Sequence, residues 1–211
     1  MKHIVIAIDG PAASGKGTLA RRLAAAFNLP YLDTGLLYRV VARRVLDHCG
    51  DPSDAAMATR QALGLGRIDL ERGDLRTPEV DLAASAVASI ASVRAALLDF
   101  QRDFATSSGA VLDGRDIGTI VFPAADVKLF ITATLDVRAE RRFAERRAQK
   151  VATTLEAVRA DLAARDEADR TRKAAPLRPA KDAHVLDTST LDANRAFAAA
   201  ADWVNQALAK R

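Results

Sequence analysis

Residues 10–18 read Gly-Pro-Ala-Ala-Ser-Gly-Lys-Gly-Thr, a GxxxxGK loop lodged between a short apolar run, His3 to Ile8, and a segment where Leu19, Leu23 and Phe27 recur at helical spacing. Strand, glycine loop and helix in that order give the pattern a mechanism. Gly10 and Gly15 permit backbone conformations and close approaches that a Cβ obstructs. Successive N–H groups of the loop, which passes through Pro11, Ala12, Ala13 and Ser14, then turn toward a phosphate chain, and the helix N-terminus adds partial positive charge. Lys16 is expected to set its ammonium on the β- and γ-phosphates of a nucleotide. Gly17 stands where many such loops carry Ser or Thr, and Thr18 follows it. Such a loop commits the chain to a parallel sheet whose first strand is buried and whose ligand sits at that strand's carboxyl end.

The remaining pattern agrees. Tyr31-Leu32 is a second short strand, and Thr34 is placed to cap a helix that Leu37, Val40, Val41, Arg44 and Val45 carry to His48. From Gly50 to Pro78 the periodicity weakens under repeated Gly and Pro, as expected of an inserted lobe. Thr77-Pro78-Glu79 is a helix start, because Thr caps, Pro tolerates the first helical position and Glu complements the dipole. That helical signal runs to about Phe104, with a break near Ser92. Ala110 to Leu112, ending at Asp113, and Val127 to Ile131 are further strands. Helices are expected over 135–150 and 155–170, the second opened by Thr153 and Glu156 at capping-box spacing. His184 to Leu186 is the last strand, and Leu191 to Ala209 the closing helix. The fold class is therefore α/β: five mainly parallel strands flanked by helices on both faces, in a single domain over 1–211.

Composition excludes several alternatives. No apolar run approaches the roughly 20 residues of a membrane span, and the Met1-Lys2 start lacks a small-residue cleavage site, so the expected location is the cytoplasm. A single cysteine, Cys49, precludes an internal disulfide and reads as an ordinary buried or half-buried thiol, and no Cys/His cluster suggests zinc. The net charge of +4 is local: residues 138–173 hold 11 Lys/Arg against 7 Asp/Glu, leaving 20 of each sign elsewhere. A basic surplus confined to one segment suits a small polyanion, whereas a nucleic-acid face requires a broader stripe. His3, His48 and His184 lie far apart without partners and read as structural.

A phosphate loop alone leaves GTPases, ATPases and kinases open. No guanine-reading NKxD-like sequence occurs downstream. Four further segments narrow the field: Tyr31-Leu-Asp-Thr-Gly-Leu-Leu-Tyr-Arg39, Asp113-Gly-Arg-Asp-Ile-Gly-Thr-Ile-Val-Phe-Pro123, Arg165-Asp-Glu-Ala-Asp-Arg-Thr-Arg172 followed by Ala175-Pro-Leu177, and Leu186-Asp-Thr-Ser189. With the GKGT ending of the loop, they resemble the bacterial cytidylate kinases from Ile4 to about Ser189. The DGRDIGT and RDxxDRxR segments are the most specific.

The resemblance implies a kinase core over 1–48, 105–143 and 172–211, a monophosphate-binding part over about 34–104 with a short insert at 50–78, and a lid over about 144–171. It implies that Arg39, Arg115 and Arg172 grip the phosphate of CMP, with Thr34 nearby. Ser85, Arg94 and Asp116 would read the cytosine edge, and Arg165 with Asp169 would contact the sugar. Arg138 and Arg142 would approach the adenine and γ-phosphate of ATP. Mg²⁺ would be held through ATP oxygens and water, with Thr18 and Asp113 assisting. The insert between residues 51 and 79 is shorter than in many members, keeping Leu75-Arg-Thr-Pro-Glu-Val80. Two polyanions must be held against mutual repulsion, and arginines that bond bidentately suit that task. Cytosine offers an acceptor at N3 beside an amino donor, which an arginine next to a carboxylate reads.

The expected chemistry is direct in-line transfer from ATP to CMP or dCMP without a phosphoenzyme, with Lys16, Arg115, Arg142 and Arg172 acting on the phosphates and Asp113, by the same resemblance, orienting metal-bound water. The segment near 144–154 would close over ATP. A monomer without nucleic-acid or membrane partners is expected. Kinases for UMP, dTMP, shikimate or dephospho-coenzyme A, and a nucleotide-responsive protein without transfer activity, remain alternatives on sequence grounds.

Overall fold

Five strands, β1 Val5–Asp9, β2 Tyr31–Asp33, β3 Ala110–Gly114, β4 Val127–Thr132 and β5 His184–Asp187, form one sheet in the order β2-β3-β1-β4-β5, every pairing parallel. This computed structural model describes residues 3–106 and 108–210. The Met1-Lys2 start, and with it the expectation about a cleavage site, lies outside them. Eight α-helices among the described residues surround the sheet: α1 Lys16–Ala26, α2 Thr34–Asp47, α3 Ala55–Leu63, α4 Pro78–Ser89, α5 Ala91–Thr106, α6 Leu135–Ala148, α7 Leu155–Thr171 and α8 Ala193–Ala209. No single helix among the described residues is long and apolar enough to cross a membrane.

β1 is buried on both faces, and its side chains alternate between two cores. Ile6 and Ile8 pack with Leu19 and Leu23 of α1, Leu129 and Ile131 of β4 and Val204 of α8. Ala7 points the other way, toward Leu32, Leu112, Ile117 and Ala105. A third cluster joins α2, α3, α4 and α5, and a small fourth joins Ala12 to Ala139, Val158 and Leu162. β1 is central, and the chain leaves it toward β3 and β2 on one side before returning to β4 and β5 on the other. A crevice therefore opens at the carboxyl ends of β1 and β3.

The expected strands and helices are present, with local corrections. Thr34 does not cap α2: Asp33 takes the cap position, and the Thr34 hydroxyl donates to the Asp113 carbonyl at 2.8 Å, tying the start of α2 to β3. The helix break falls at Ile90, not Ser92. Thr154, one residue beyond the expected Thr153, caps α7 by accepting from the Ala157 N–H. Within 50–78 the structure holds α3, whose Asp54 cap accepts from Ala56 and Met57 and whose Ala58 and Ala62 are buried with α2 and α5. Glycines had masked that amphipathic turn. Thr77 caps α4 with Pro78 in the first turn, as read from sequence. Cys49 is exposed, contrary to expectation, because it lies just past the end of α2 with a left-handed backbone (φ 52°). His184 stacks on Trp203 at 4.0 Å between ring centroids.

Asp9 closes β1 and anchors the segment that leaves β3. Its two carboxylate oxygens accept from the Ile117 and Gly118 N–H groups, each at 2.8 Å, fixing a π-type turn at Ile117–Val121. Burial raises the Asp9 carboxyl, against the lowering effect of those N–H donors, to about 7. A carboxyl raised on folding binds its proton more tightly in the native chain, so its contribution to stability is present at low pH. It is lost as pH climbs from the unfolded value near about 4 through the raised one. Unfolding in urea should therefore show wild type losing about 1–3 kcal/mol more than Asp9→Asn between about pH 5 and 8. Parallel pH profiles would contradict the assignment.

Candidate functional site

The loop after β1 adopts three positive φ angles, at Gly10 (152°), Ala13 (59°) and Gly15 (88°), and delivers Lys16 to the first turn of α1. A Cβ at Gly10 would lie 2.0 Å from the Ile131 carbonyl oxygen, so only glycine fits between β1 and β4. The Lys16 ammonium donates back across the loop to the Pro11 carbonyl at 3.2 Å. Gly17 also has a steric reason: a Cβ there would stand 3.1 Å from Asp113 Oδ2. A serine at this position would crowd the carboxylate unless Asp113 shifted by a few tenths of an ångström.

Facing the loop is a cleft of about 540 Å³ at the carboxyl ends of the strands. The structure brings nearly every residue singled out from the sequence to its walls: Ala12 through Thr18 on one side, and Thr34, Arg39, Ser85, Arg94, Asp113, Arg115, Asp116, Arg142, Arg165, Asp169 and Arg172 around the rest. Gly10 and Pro11 shape the loop from below. These residues come from the loop after β1, from α1, α2, α4 and α5, from β3 and the stretch after it, and from α6, α7 and the residue that ends α7, and α2 and the Asp9-anchored turn fix the β3 end where most of them meet.

Carboxylates are threaded among the guanidinium groups. Arg115 donates from Nε to Asp169 at 3.0 Å, and Arg172 stands 3.6 Å from Asp169 and 3.9 Å from Asp116. Arg94 donates to Asp116 and to the Ala88 carbonyl (3.2 Å), with its guanidinium 5.4 Å from the Tyr38 ring centroid. Ser85 donates to the Asp81 carbonyl at 3.3 Å. Two buried guanidinium donors on the cleft, Arg165 Nε and Arg172 Nη2, have no hydrogen-bond partner among the described residues, and neither does the Ser14 hydroxyl of the loop. Buried N–H groups of this kind are costly unless a ligand satisfies them.

The local field matches. Burial, and then Arg115, pushes Arg165 down to about 10. Burial alone would raise Asp169, but Arg115, Arg165 and Arg172 overcome it and hold the group below the ordinary carboxylate value. Burial and Arg115 depress the Lys16 ammonium, opposed by Asp113 and Asp33, while burial and Asp33 raise Asp113. An ammonium in that position gains from an incoming phosphate.

Asp33, the last residue of β2, and Asp113, the last but one of β3, are register partners, and Thr18 lines the same cleft. Among the described residues no group of three or more His, Cys, Asp or Glu can hold a metal ion. Two carboxylates and a hydroxyl suit Mg²⁺ shared with nucleotide phosphates and water, the usual mode for that cation.

Arg138 stands apart from the expectation that it approaches ATP. It is 5% exposed, and its guanidinium donates to Ala133 O (2.9 Å), to Ala12 O (3.2 Å) and bidentately to Asp166, with Nη1 3.1 Å from Oδ1. Its donors are spent on the phosphate loop and α7, and it does not line the cleft. Its neighbour Arg141, which sequence reading passed over, does line it and donates to the Thr188 hydroxyl (3.0 Å) and carbonyl (2.7 Å). Helical spacing was a usable signal, since Arg138, Arg141 and Arg142 fall on one side of α6. Asp33 and Asp81 were also missed, one closing a strand and the other sitting in the first turn of α4, where acids serve the helix dipole.

Comparison with known proteins converges on one family. A family model described as cytidylate kinase matches residues 6–206. A protein of Acidiphilium cryptum named cytidylate kinase is 76% identical over 209 residues, covering 99% of each chain. Namesakes from Granulibacter bethesdensis (61% over 195 residues, 92% of this chain and 93% of that one) and Paramagnetospirillum magneticum (58% over 200 residues, 93% and 95%) are also similar. Among solved structures, an uncharacterized protein from Eubacterium ventriosum aligns over 100% of both chains with a TM-score of 0.56 at 18% identity, a likeness of fold.

The Arg138 contacts yield a test of their own. Arg138→Met leaves the partly buried Asp166 and the Ala12 carbonyl without their donor. Chemical denaturation should show a loss of about 2–4 kcal/mol; an unchanged midpoint would mean the clamp contributes nothing.

Proposed function

The chain belongs to the cytidylate kinase family, and from that membership we propose that it transfers the γ-phosphoryl group of ATP to CMP or dCMP, yielding ADP and CDP or dCDP. The observation that carries this reading is the pair of orphaned guanidinium donors, Arg165 Nε and Arg172 Nη2, in a cleft shared with the Lys16 loop. One wall offers backbone N–H groups and an ammonium, and the other offers arginines with donors to spare. Two phosphate-bearing ligands are what such a cleft can hold head to head.

The geometry suggests a role for each residue. ATP lays its phosphates along residues 10–18, where Lys16 exchanges the Pro11 carbonyl for β- and γ-oxygens. The acceptor's phosphate meets Arg39, Arg115 and Arg172 beside Thr34. Its base meets the Arg94–Asp116 pair near Ser85, and its sugar meets Arg165 and Asp169. Uracil reverses the donor pattern at the base edge and leaves buried groups unpaired, at a cost of about 1–3 kcal/mol each. Arg142 completes the cation set around the transferring group. Asp113 and Thr18, with Asp33, would hold Mg²⁺, which when bound neutralises charge on the phosphate oxygens. The α6–α7 part, about 144–171, acts as a lid that excludes water while an acceptor oxygen attacks in line. The protein works as a cytoplasmic monomer in pyrimidine nucleotide metabolism and needs neither nucleic acid nor membrane.

ADP release measured against a panel of CMP, dCMP, UMP, AMP and dTMP tests the proposal. CMP and dCMP should be preferred, and turnover with AMP alone would overturn it. Lys16→Ala should lower kcat by about 10²- to 10³-fold with the fold intact. Asp116→Ala should lower kcat/KM for CMP by about 10- to 100-fold and narrow the gap to UMP.

A further inference from the structure

Asp81, at the start of α4, is absent from every role assigned above, yet it is the carboxylate on which the two halves of the cation set converge. Arg39 of α2 donates to its Oδ1 from both Nε (2.9 Å) and Nη2 (2.8 Å). Arg142 of α6 donates to its Oδ2, and spends its other terminal nitrogen on Glu145 at 3.0 Å. Asp81 and Arg39 are each 12% exposed at the side chain, and Arg142 21%, so these pairs are shielded from solvent. Burial would raise the Asp81 carboxyl, but Arg39, Arg142 and Arg165 overcome it and keep the group below its ordinary value. A charged carboxylate therefore sits between an arginine assigned to the acceptor phosphate and one assigned to the transferring group.

We propose that Asp81 is a resident stand-in for phosphate, which pairs Arg39 with Arg142 beside the cleft they line and yields them when substrate phosphates arrive. The inference rests on the assignment of those two arginines to substrate phosphates. Three features support it. Arg39, Arg142 and Arg165 all line the cleft, and their mutual repulsion must be offset by some anion before substrates bind. Arg142 spends a terminal nitrogen on each of two carboxylates, and Asp81 is the more buried of them, so an incoming phosphate competes chiefly with Asp81 for this arginine. Asp81 links α4 to α6, the acceptor-binding side to the lid side, and exchange of its partners thus couples filling of one subsite to freedom of the other. Asp81 is a positioning residue, since it acts through the arginines.

Isothermal titration of CMP, cytidine and ATP into wild type and Asp81→Asn tests this. Removing the competing charge should tighten CMP and ATP by about 3- to 10-fold, leave cytidine unchanged because it brings no phosphate, and lower the melting temperature of the ligand-free chain. A structural role alone would weaken CMP and cytidine together. CMP weakened alone would show that the carboxylate serves to aim Arg39 at substrate. Either result overturns the proposal. Asp81→Ser, which admits water in place of the carboxylate, is read by the same criteria should the asparagine variant unfold, and Asp81→Glu should restore wild-type affinities. Failure of wild type to bind CMP would instead sink the functional assignment itself, so the two failures are distinguishable.

Discussion

Gathering Lys16, Arg39, Arg94, Arg115, Arg142, Arg165 and Arg172 around one cleft is unfavourable in the absence of ligand, and the architecture follows from how that repulsion is contained. Asp169 stands between Arg115 and Arg172, Asp116 between Arg94 and Arg172, and Asp81 between Arg39 and Arg142. Each carboxylate has two guanidinium partners, so the cations are spaced and oriented without being fully consumed. Buried pairs of this kind contribute little net stability, because desolvation offsets most of the attraction. Their value lies in a set of donors whose positions are settled before any phosphate enters.

Topology brings these groups together. The arginines are scattered from residue 39 to residue 172, and sequence distance is cancelled because β1 lies at the centre of the sheet with β3 and β4 on its flanks. The loop after β1 and the Asp113–Asp116 stretch after β3 emerge at the same end, in register from Val5 opposite Ala110 to Asp9 opposite Gly114. Two polar links hold that end: Asp9 accepting from Ile117 and Gly118, and Thr34 donating to the Asp113 carbonyl. Each uses a side chain on one strand or helix to fix the backbone beyond another.

The core of the fold was legible because the strands are short runs of mostly apolar residues, four of the five ending in Asp or Gly, and the glycine loop has only one productive context. Most cleft residues were legible too, because they lie in motifs. Hidden features were those in which side chains choose among equivalent partners. Nothing local distinguishes Arg138, turned inward to Ala12 and Asp166, from Arg141 and Arg142, turned to the cleft: all three are arginines on one helix, and α7 and the 188 region decide between them. Asp81 reads as dipole compensation at a helix start, and only the approach of α2 and α6 makes it a bridge. Thr34 reads as a cap until the Asp113 carbonyl outcompetes its own helix for the hydroxyl. The α3 segment was obscured because its buried face is two alanines, too small to stand out from the glycines beside them.

The Arg138 clamp also has a mechanical meaning. One guanidinium bolts the phosphate loop at Ala12 to α7 at Asp166, while Ala12 itself packs with Val158 and Leu162. α6 and α7 are therefore welded to the loop near their base and to each other along their length, through Ala139 and Phe143 packed on Val158 and Leu162 and through the Arg146–Asp161 and Arg159–Asp136 ion pairs. The pair must therefore swing as one body, as in a lever gripped at its root, and any tilt of the root would drag the nucleotide cradle with it.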